Sequence, residues 1–132
     1  MLEIDNKLPI FQLGKDSDIK DGDIVQLSIE NNSIVLIKSD GQSPIGWVKK
    51  ILTANYSTLI RDDILFAEII FTRFFGYTDN FESDQIYPTN ANLYVSSNSK
   101  LTTKKYHSNQ YPVGMIISSP TKEKSSLRFL WY

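Results

Sequence analysis

The sequence predicts an all-β fold, a small barrel or sandwich built from two similar β-meanders with an N-terminal edge strand or arm. Three observations support this fold class: short runs of alternating apolar and polar residues, turn residues between those runs, and a stretch of the first half that recurs in the second. With 132 residues, the chain has the length of one domain with its own core.

Four consecutive segments are expected within this domain. They are an N-terminal arm and acidic loop at 1–22, a first meander at 23–50, a linking strand and loop at 51–91, and a second meander with a closing strand at 92–132.

The N-terminal segment Leu8, Pro9, Ile10 and Phe11 is apolar and continues to Leu13. Proline lacks the N–H group that an inner strand would donate to its neighbour, so the segment is predicted to be an edge strand or an extended arm. Such an edge is available to pair with a strand of another chain.

The carboxylates of residues 14–23 raise two interpretations, a calcium loop and a solvated turn. An EF-hand loop needs a ligand at its fifth position and glycine at its sixth. Counted from Asp16, Lys20 stands fifth and Gly22 seventh. The sequence therefore favours an Asp-Gly turn before a strand.

The first meander begins at residues 24–30, where Val25, Leu27 and Ile29 alternate with polar side chains. Two asparagines follow, and asparagine tolerates the positive φ angles of a tight turn, so the chain is expected to return as a hairpin. A Pro-x-Gly step from Pro44 then leads into a third strand.

The second meander repeats this pattern of strands and turn residues. The residues expected to be equivalent are Leu27 with Leu93, Ile29 with Val95, Asn32 with Asn98, Val35 with Leu101, Pro44 with Pro112, and Gly46 with Gly114. Two copies are too few for a solenoid, so we expect them to close one barrel or sandwich around a shared core.

The apolar run at 64–76 fits either a helix or a strand. Acidic residues precede it and Gly76 ends it, as in a helix. Most of its residues are β-branched or aromatic, which favours a long buried strand. The final residues alternate as well, and we expect a closing strand with Leu127, Phe129 and Trp131 on one face.

Composition and motifs exclude several classes of function. The net charge is −1 with scattered charges, which indicates no nucleic-acid partner, and no apolar run is long enough to cross a membrane. Cysteine is absent, and His107 is the single histidine. No nucleophile elbow or phosphate-binding loop occurs, so we predict neither an enzyme nor a bound cofactor or metal. The N terminus does not resemble a secretion signal.

The aromatic residues allow two interpretations, a sugar-binding platform and a protein interface, and both need exposed rings. The interface candidates combine the N-terminal segment with aromatic residues from the second half. They are Leu8, Pro9, Ile10, Phe11, Phe74, Phe75, Tyr77, Trp131 and Tyr132.

The second half resembles small β-barrel structural proteins of tailed bacteriophages, in particular capsid decoration (cement) proteins. The resemblance lies in the order of short motifs: Phe-Phe-Gly-Tyr from Phe74, Leu-Tyr-Val from Leu93, Lys-Leu-Thr-Thr from Lys100, Pro-Val-Gly from Pro112, and the terminal strand. The chain departs from the family pattern where Thr89 follows Pro88 without the usual glycine, and where Ser99 replaces the turn glycine.

The resemblance implies a non-enzymatic virion protein that is made in the host cytoplasm and binds the capsid exterior in many symmetric copies. Its partners would be the major capsid protein or other virion proteins, together with copies of itself. Two alternatives stay open: a carbohydrate- or receptor-binding β module, and a tail or baseplate connector. An enzyme would need a pocket that joins His107 to a carboxylate and a serine.

Overall fold

The computed structural model describes residues 9–15, 17–52 and 65–132, and these residues form strands and loops without a helix. The strands are β1 (Ile10–Gln12), β2 (Ile24–Glu30), β3 (Ser33–Lys38), β4 (Gly46–Leu52), β5 (Phe66–Ile70), β6 (Phe74–Thr78), β7 (Asn92–Val95), β8 (Leu101–Thr102), β9 (Gly114–Ser118) and β10 (Leu127–Trp131). The predicted all-β class is confirmed. Within the same residues, no helix is present that could cross a membrane.

The strands form two five-stranded antiparallel sheets with the same order of strands. The first sheet runs β1-β5-β4-β2-β3 and the second runs β6-β10-β9-β7-β8. Each strand of the first sheet therefore has a counterpart in the second, in the same order along the chain. We call β1 to β5 the first unit and β6 to β10 the second unit. The repeat extends beyond the meanders to a complete five-stranded sheet.

The two units also repeat individual hydrogen bonds. Gly22 N–H donates to the carbonyl of Val48 at 2.8 Å, and Asn90 N–H donates to the carbonyl of Ile116 at 2.8 Å. The two donors share a positive φ, 87° at Gly22 and 71° at Asn90. Glycine and asparagine are the residues that adopt this conformation at least cost, so the same turn is built twice.

A correction concerns the alignment of the two copies. The sequence pattern placed Leu27 on Leu93, whereas the strand pairing places Val25 there, because Val25 pairs with Gly46 and Leu93 pairs with Gly114. A shift of two residues keeps every side chain on the same face of a strand, so alternation alone cannot detect it. The equivalence of Val35 with Leu101 is also wrong, because the bridge from Leu13 to Leu36 corresponds to the bridge from Phe81 to Leu101. The equivalence of Gly46 and Gly114 agrees with the strand pairing.

Each sheet curls back on itself. The residues that follow its first strand in the chain, β1 or β6, contact the third strand in the chain, β3 or β8. In the first unit Leu13 forms a parallel bridge with Leu36, and in the second unit Phe81 does so with Leu101. The expectation of a single core shared by the two copies is wrong, because each sheet curls around its own apolar side chains. The core of the first unit consists of Leu13, Ile19, Val25, Leu36, Val48, Ala67 and Ile69. The core of the second unit contains Tyr87, Leu93, Val95, Leu101, Ile116, Leu127, Phe129 and Trp131.

The apolar run at 64–76 forms strands, as the residue types predicted, but it does not form one long strand. The chain leaves β5 after Ile70 and begins β6 at Phe74, and the two strands belong to different sheets. Phe71 between them is half exposed, at 50%. Residues 53–64 of the expected linking segment lie outside the described residues.

The acidic loop before β2 uses its carboxylates to hold the backbone. Asp21 Oδ1 accepts a hydrogen bond from Ile51 N–H at 2.9 Å, and Asp23 Oδ2 accepts one from Lys20 N–H at 2.9 Å. These contacts agree with the predicted Asp-Gly turn. Among the described residues, no three or more potential ligands are grouped as a metal ion would require.

Two side chains from the outer face of the first unit complete the core of the second. Ile24 and Trp47 are buried there, and the Trp47 indole stacks on Phe129 with 5.0 Å between ring centroids. Trp131 packs edge-on against the same indole at 5.6 Å. β10, which was expected to close the sheet, lies inside it between β6 and β9 because both of its edges are paired.

Candidate interaction surfaces

The structure divides the predicted interface residues into exposed and packed side chains. Ile10, Phe75, Tyr77 and Tyr132 are exposed, with Phe75 reaching 67%. Leu8 lies outside the described residues. The remaining candidates are partly or fully buried, and the reasons differ between the two ends of the chain.

The N-terminal segment is an edge strand of the first unit, as the proline predicted, but from residue 9 onward it is not a free arm. β1 pairs with β5, and the carbonyl of Pro9 accepts a hydrogen bond from Ile69 N–H at 3.1 Å. Phe11 packs against the core of the first unit, and Leu13 belongs to it. The edge of β1 that pairs with β5, and the face that packs on the core, are therefore not available to a strand of another chain.

Phe74 and Trp131 cannot offer exposed rings to a partner. Trp131 is 3% exposed, and Phe74 packs edge-on against Phe129 with 5.6 Å between centroids and against Trp47 with 6.4 Å. The sequence could not show this, because their burial depends on Trp47, which arrives from the other unit.

An aromatic patch lies on the outer face of β6 and β10, and we define it by Phe75, Tyr77, Lys124 and Arg128. Tyr77 pairs with Arg128 across the two strands, and the guanidinium carbon lies 5.6 Å from the centroid of the tyrosine ring. Lys124 Nζ lies 3.8 Å from the same centroid. The patch combines two exposed rings, Phe75 and Tyr77, with two cations that lie over the ring of Tyr77.

A second surface, which we call the hairpin patch, was not among the predicted sites. It consists of Leu27, Ile29 and Ile34 on one face of the β2-β3 hairpin, with exposures of 42%, 74% and 59%. Alternation placed Leu27 and Ile29 on the same face as the buried Val25, which is correct, but it could not show that the core ends before them. The equivalent hairpin of the second unit is shorter and has no such extension.

Two grooves accompany these surfaces. One, of about 360 Å³, lies beside the hairpin and is lined by residues on both sides of Leu13 and by Glu30, Ser33 and Val35. The Glu30 carboxylate accepts a hydrogen bond from Lys15 N–H at 3.0 Å there. The other groove, of about 220 Å³, lies beside Tyr111 where the two units contact each other, a region that we call the joint. Neither groove is lined by a histidine.

Two ionisable groups among the described residues, Asp18 and Tyr87, have displaced pKa values. The ammonium group of Lys38, hydrogen-bonded at 3.3 Å, holds the pKa of the exposed Asp18 carboxyl below its usual value. Burial, followed by the charge of Glu82, raises the pKa of Tyr87 to about 12, and its hydroxyl donates to the carbonyls of Glu82 and Leu101. His107 is exposed in the loop between β8 and β9.

No protein-family model matches this chain, and comparison with curated proteins gives no match either. The fold and the two surfaces are therefore the basis for a functional assignment.

Proposed function

We propose that this protein is a non-enzymatic structural protein of a tailed-bacteriophage particle, which decorates and stabilises the capsid exterior through the aromatic patch. The supporting observation is the exposure of Phe75 and Tyr77 on β6. They lie in the Phe-Phe-Gly-Tyr stretch that opens the resemblance to phage virion proteins. The motif and the exposed surface thus coincide in one strand.

The composition of the patch favours a protein partner over a sugar. Tyrosine and arginine are enriched in protein interfaces, where they contribute a large share of the binding energy. A sugar platform needs an open ring face, whereas Lys124 lies over one face of Tyr77 at 3.8 Å. A carbohydrate-binding module is therefore the weaker proposal for this surface.

Stabilisation of a capsid by such a protein requires binding alone. A protein that binds the assembled shell and not its free subunits shifts the equilibrium toward the shell. Many copies on a symmetric lattice multiply this effect, and a copy that contacts several subunits gains avidity. A capsid role therefore needs an adhesive surface, which the aromatic patch supplies.

The test compares particles that carry the wild-type chain with particles that carry the double variant Phe75→Thr and Tyr77→Thr. Threonine keeps the strand preference of β6 while removing both rings. We expect the variant to unfold at the same urea concentration as the wild type and its occupancy on purified particles to fall at least tenfold. Tyr111→Thr is the matched control, because Tyr111 is 86% exposed outside the patch.

Mass spectrometry of purified particles and cryo-EM decide the location. Density on the capsid lattice supports the proposal, and density restricted to the tail supports the connector alternative instead. Absence of the chain from particles, or full occupancy by the double variant, overturns the proposed function. Specific binding of the wild type to a glycan array, lost in the double variant, would favour the carbohydrate alternative.

A further inference from the structure

The aromatic patch carries positive charge that the described part of the fold does not neutralise. Arg128 and Lys124 are both exposed and lie beside the ring of Tyr77. Two acidic residues flank this surface in the chain, Asp79 after β6 and Glu123 before Lys124, but neither forms an ion pair with either cation. The ion pairs among the described residues lie in the first unit. Both cations of the patch are therefore available to a partner.

The fold fixes the backbone of both cations. Arg128 lies in β10, which is paired on both sides, and the pairing with β9 shifts register between Arg128 and Phe129. Register shifts of this kind are typical of β-bulges, which redirect the neighbouring side chains. Lys124 ends a turn in which its N–H donates to the hydroxyl of Thr121 at 3.0 Å and its carbonyl accepts from Thr121 N–H at 2.7 Å. A partner therefore binds cations whose backbone is already ordered, which lowers the entropic cost of association.

The first unit carries the opposite charge at the equivalent position and balances it within its own sheet. In the strand pairs β4-β5 and β9-β10, Glu68 of the first unit occupies the position that Arg128 occupies in the second. Glu68 lies directly across from Lys50, and opposite charges that face each other across two strands attract. Arg128 lies across from Ser118, which carries no charge. The unbalanced cation is thus a property of the second unit and not of the repeated fold.

We propose that the aromatic patch binds an acidic protein segment, whose carboxylates pair with Arg128 and Lys124 and whose apolar side chains pack on Phe75 and Tyr77. A guanidinium group binds a carboxylate through two parallel hydrogen bonds, so Arg128 is the main determinant of this preference. The inference rests on the proposed function, because it names the chemistry of the partner that the same surface takes.

The exposed rings favour a protein segment over other anions. Phe75 is 67% exposed and Tyr77 is 55% exposed, and covering them removes apolar surface from water. A small anion covers neither ring. A nucleic-acid backbone is bound by larger sets of cations than the two in this patch. A segment that combines carboxylates with apolar side chains matches both the charge and the rings, and its binding weakens as salt screens the charges.

The experiment titrates the full chain with three short synthetic peptides and follows the backbone amide signals by NMR. In the first peptide glutamate alternates with valine, and in the other two glutamine or lysine replaces glutamate. We expect the glutamate peptide to shift the signals of β6 and β10 and to bind about tenfold more tightly than either of the others. Its affinity should fall as sodium chloride is added, because the interaction is between opposite charges.

Charge-reversal variants identify the residues that select the acidic peptide. Arg128→Glu should weaken binding of the glutamate peptide about tenfold, and the double variant Arg128→Glu and Lys124→Glu should prefer the lysine peptide. Lys105→Glu is the matched control, because it makes the same change of charge at an exposed residue of the loop between β8 and β9. It should bind the glutamate peptide like the wild type. Circular dichroism shows whether each variant folds, and Arg128→Gln replaces Arg128→Glu if charge reversal disrupts the sheet.

Three outcomes overturn the proposal: a wild type that does not prefer the glutamate peptide, a folded Arg128 variant that binds this peptide like the wild type, and signal shifts confined to residues outside β6 and β10. The peptide titration needs no particle, so its result is independent of the particle-binding test. A chain that prefers the glutamate peptide but is absent from particles contradicts the proposed function alone. A chain that occupies particles without this preference contradicts the present inference alone.

Discussion

The indole of Trp47 stacks on the ring of Phe129 with 5.0 Å between centroids and 27° between planes, and this contact joins the two units. The contact is not repeated in the opposite direction. The counterpart of Trp47 in the second unit is Met115, because each follows the glycine that pairs with β2 or β7. Met115 is half-buried, so the duplicated fold has diverged at the residue that joins its halves.

We predict that Trp47→Ala lowers the free energy of unfolding by about 3–5 kcal/mol, the usual cost of removing a large buried aromatic side chain. Trp47→Phe should cost less, since it keeps a ring against Phe129 and removes a buried indole N–H that has no partner among the described residues. Urea unfolding measures both. Met115→Ala is the control and should cost less than Trp47→Ala. Equal losses would show that the joint carries no special share of the stability.

A second contact across the joint depends on Gln110. Its Nε2 group donates to the carbonyl of Gly41 at 2.7 Å and to that of Val95 at 3.0 Å, in buried surroundings. We predict that Gln110→Leu costs about 2–3 kcal/mol, because it leaves buried carbonyls without donors. The repeat supplies the control: Gln42 is the counterpart and is exposed, so Gln42→Leu should change stability by less than about 0.5 kcal/mol. A small loss at Gln110 would mean that water replaces its amide.

Turn chemistry is the part of this fold that the sequence predicts best. Asn31 and Asn32 adopt positive φ angles of 49° and 64°, and the glycine of each Pro-x-Gly step begins a strand at Gly46 or Gly114. These features are local, since they depend on which residues tolerate a given backbone conformation. They remain correct even though the alignment of β2 with β7 was shifted.

Burial at the joint and at the hairpin patch could not be predicted in the same way. Trp131 and Ile29 both lie on apolar faces of alternating strands, yet one is 3% exposed and the other 74%. Trp131 is buried because Trp47 covers it. Ile29 is exposed because the β2-β3 hairpin extends beyond the core of the first unit. Both causes depend on where distant strands end, and residue alternation contains no such information.

Gly22 offers a direct test of the repeated turn. It has a φ of 87° with open space around the position of a Cβ atom, and its counterpart Asn90 has a φ of 71°. We predict that Gly22→Ala costs about 1 kcal/mol through backbone strain alone, and that Gly22→Asn costs less, because asparagine tolerates this conformation. Thermal unfolding of the two variants measures the difference. Equal costs would argue against backbone strain as the cause.

Gly41 has a φ of 94° and is closely packed. Comparing it with Gly22, which has open space around it, distinguishes the cost of backbone strain from the cost of a steric clash. A Cβ atom at Gly41 would lie 2.4 Å from the carbonyl oxygen of Val95 in the second unit. Gly41→Ala should therefore destabilise the fold by more than Gly22→Ala, since a clash across the joint adds to the strain. The same thermal unfolding measurement compares them. A smaller loss of stability at Gly41 than at Gly22 would indicate that the two units can move apart at the joint to accommodate the added methyl group.

Tyr87 should make stability depend on pH in the alkaline range. Its folded pKa is raised to about 12 from an ordinary value of 10.0, chiefly by burial. Below about pH 10 the phenol keeps its proton in both states, so its contribution is fully present. Between about pH 10 and about pH 12 the unfolded chain loses this proton while the folded chain retains it, and stability falls.

Tyr87→Phe keeps the ring, which packs edge-on against Phe81 with 5.2 Å between centroids, and removes the hydroxyl. At neutral pH we expect a loss of about 1–2 kcal/mol from the hydrogen bonds to the carbonyls of Glu82 and Leu101. The loss should shrink from about pH 10 to about pH 12, because the wild type alone is weakened by ionisation of this phenol. Urea unfolding at several pH values measures both effects. A difference that stays constant across the window would show that Tyr87 titrates alike in the folded and unfolded chains.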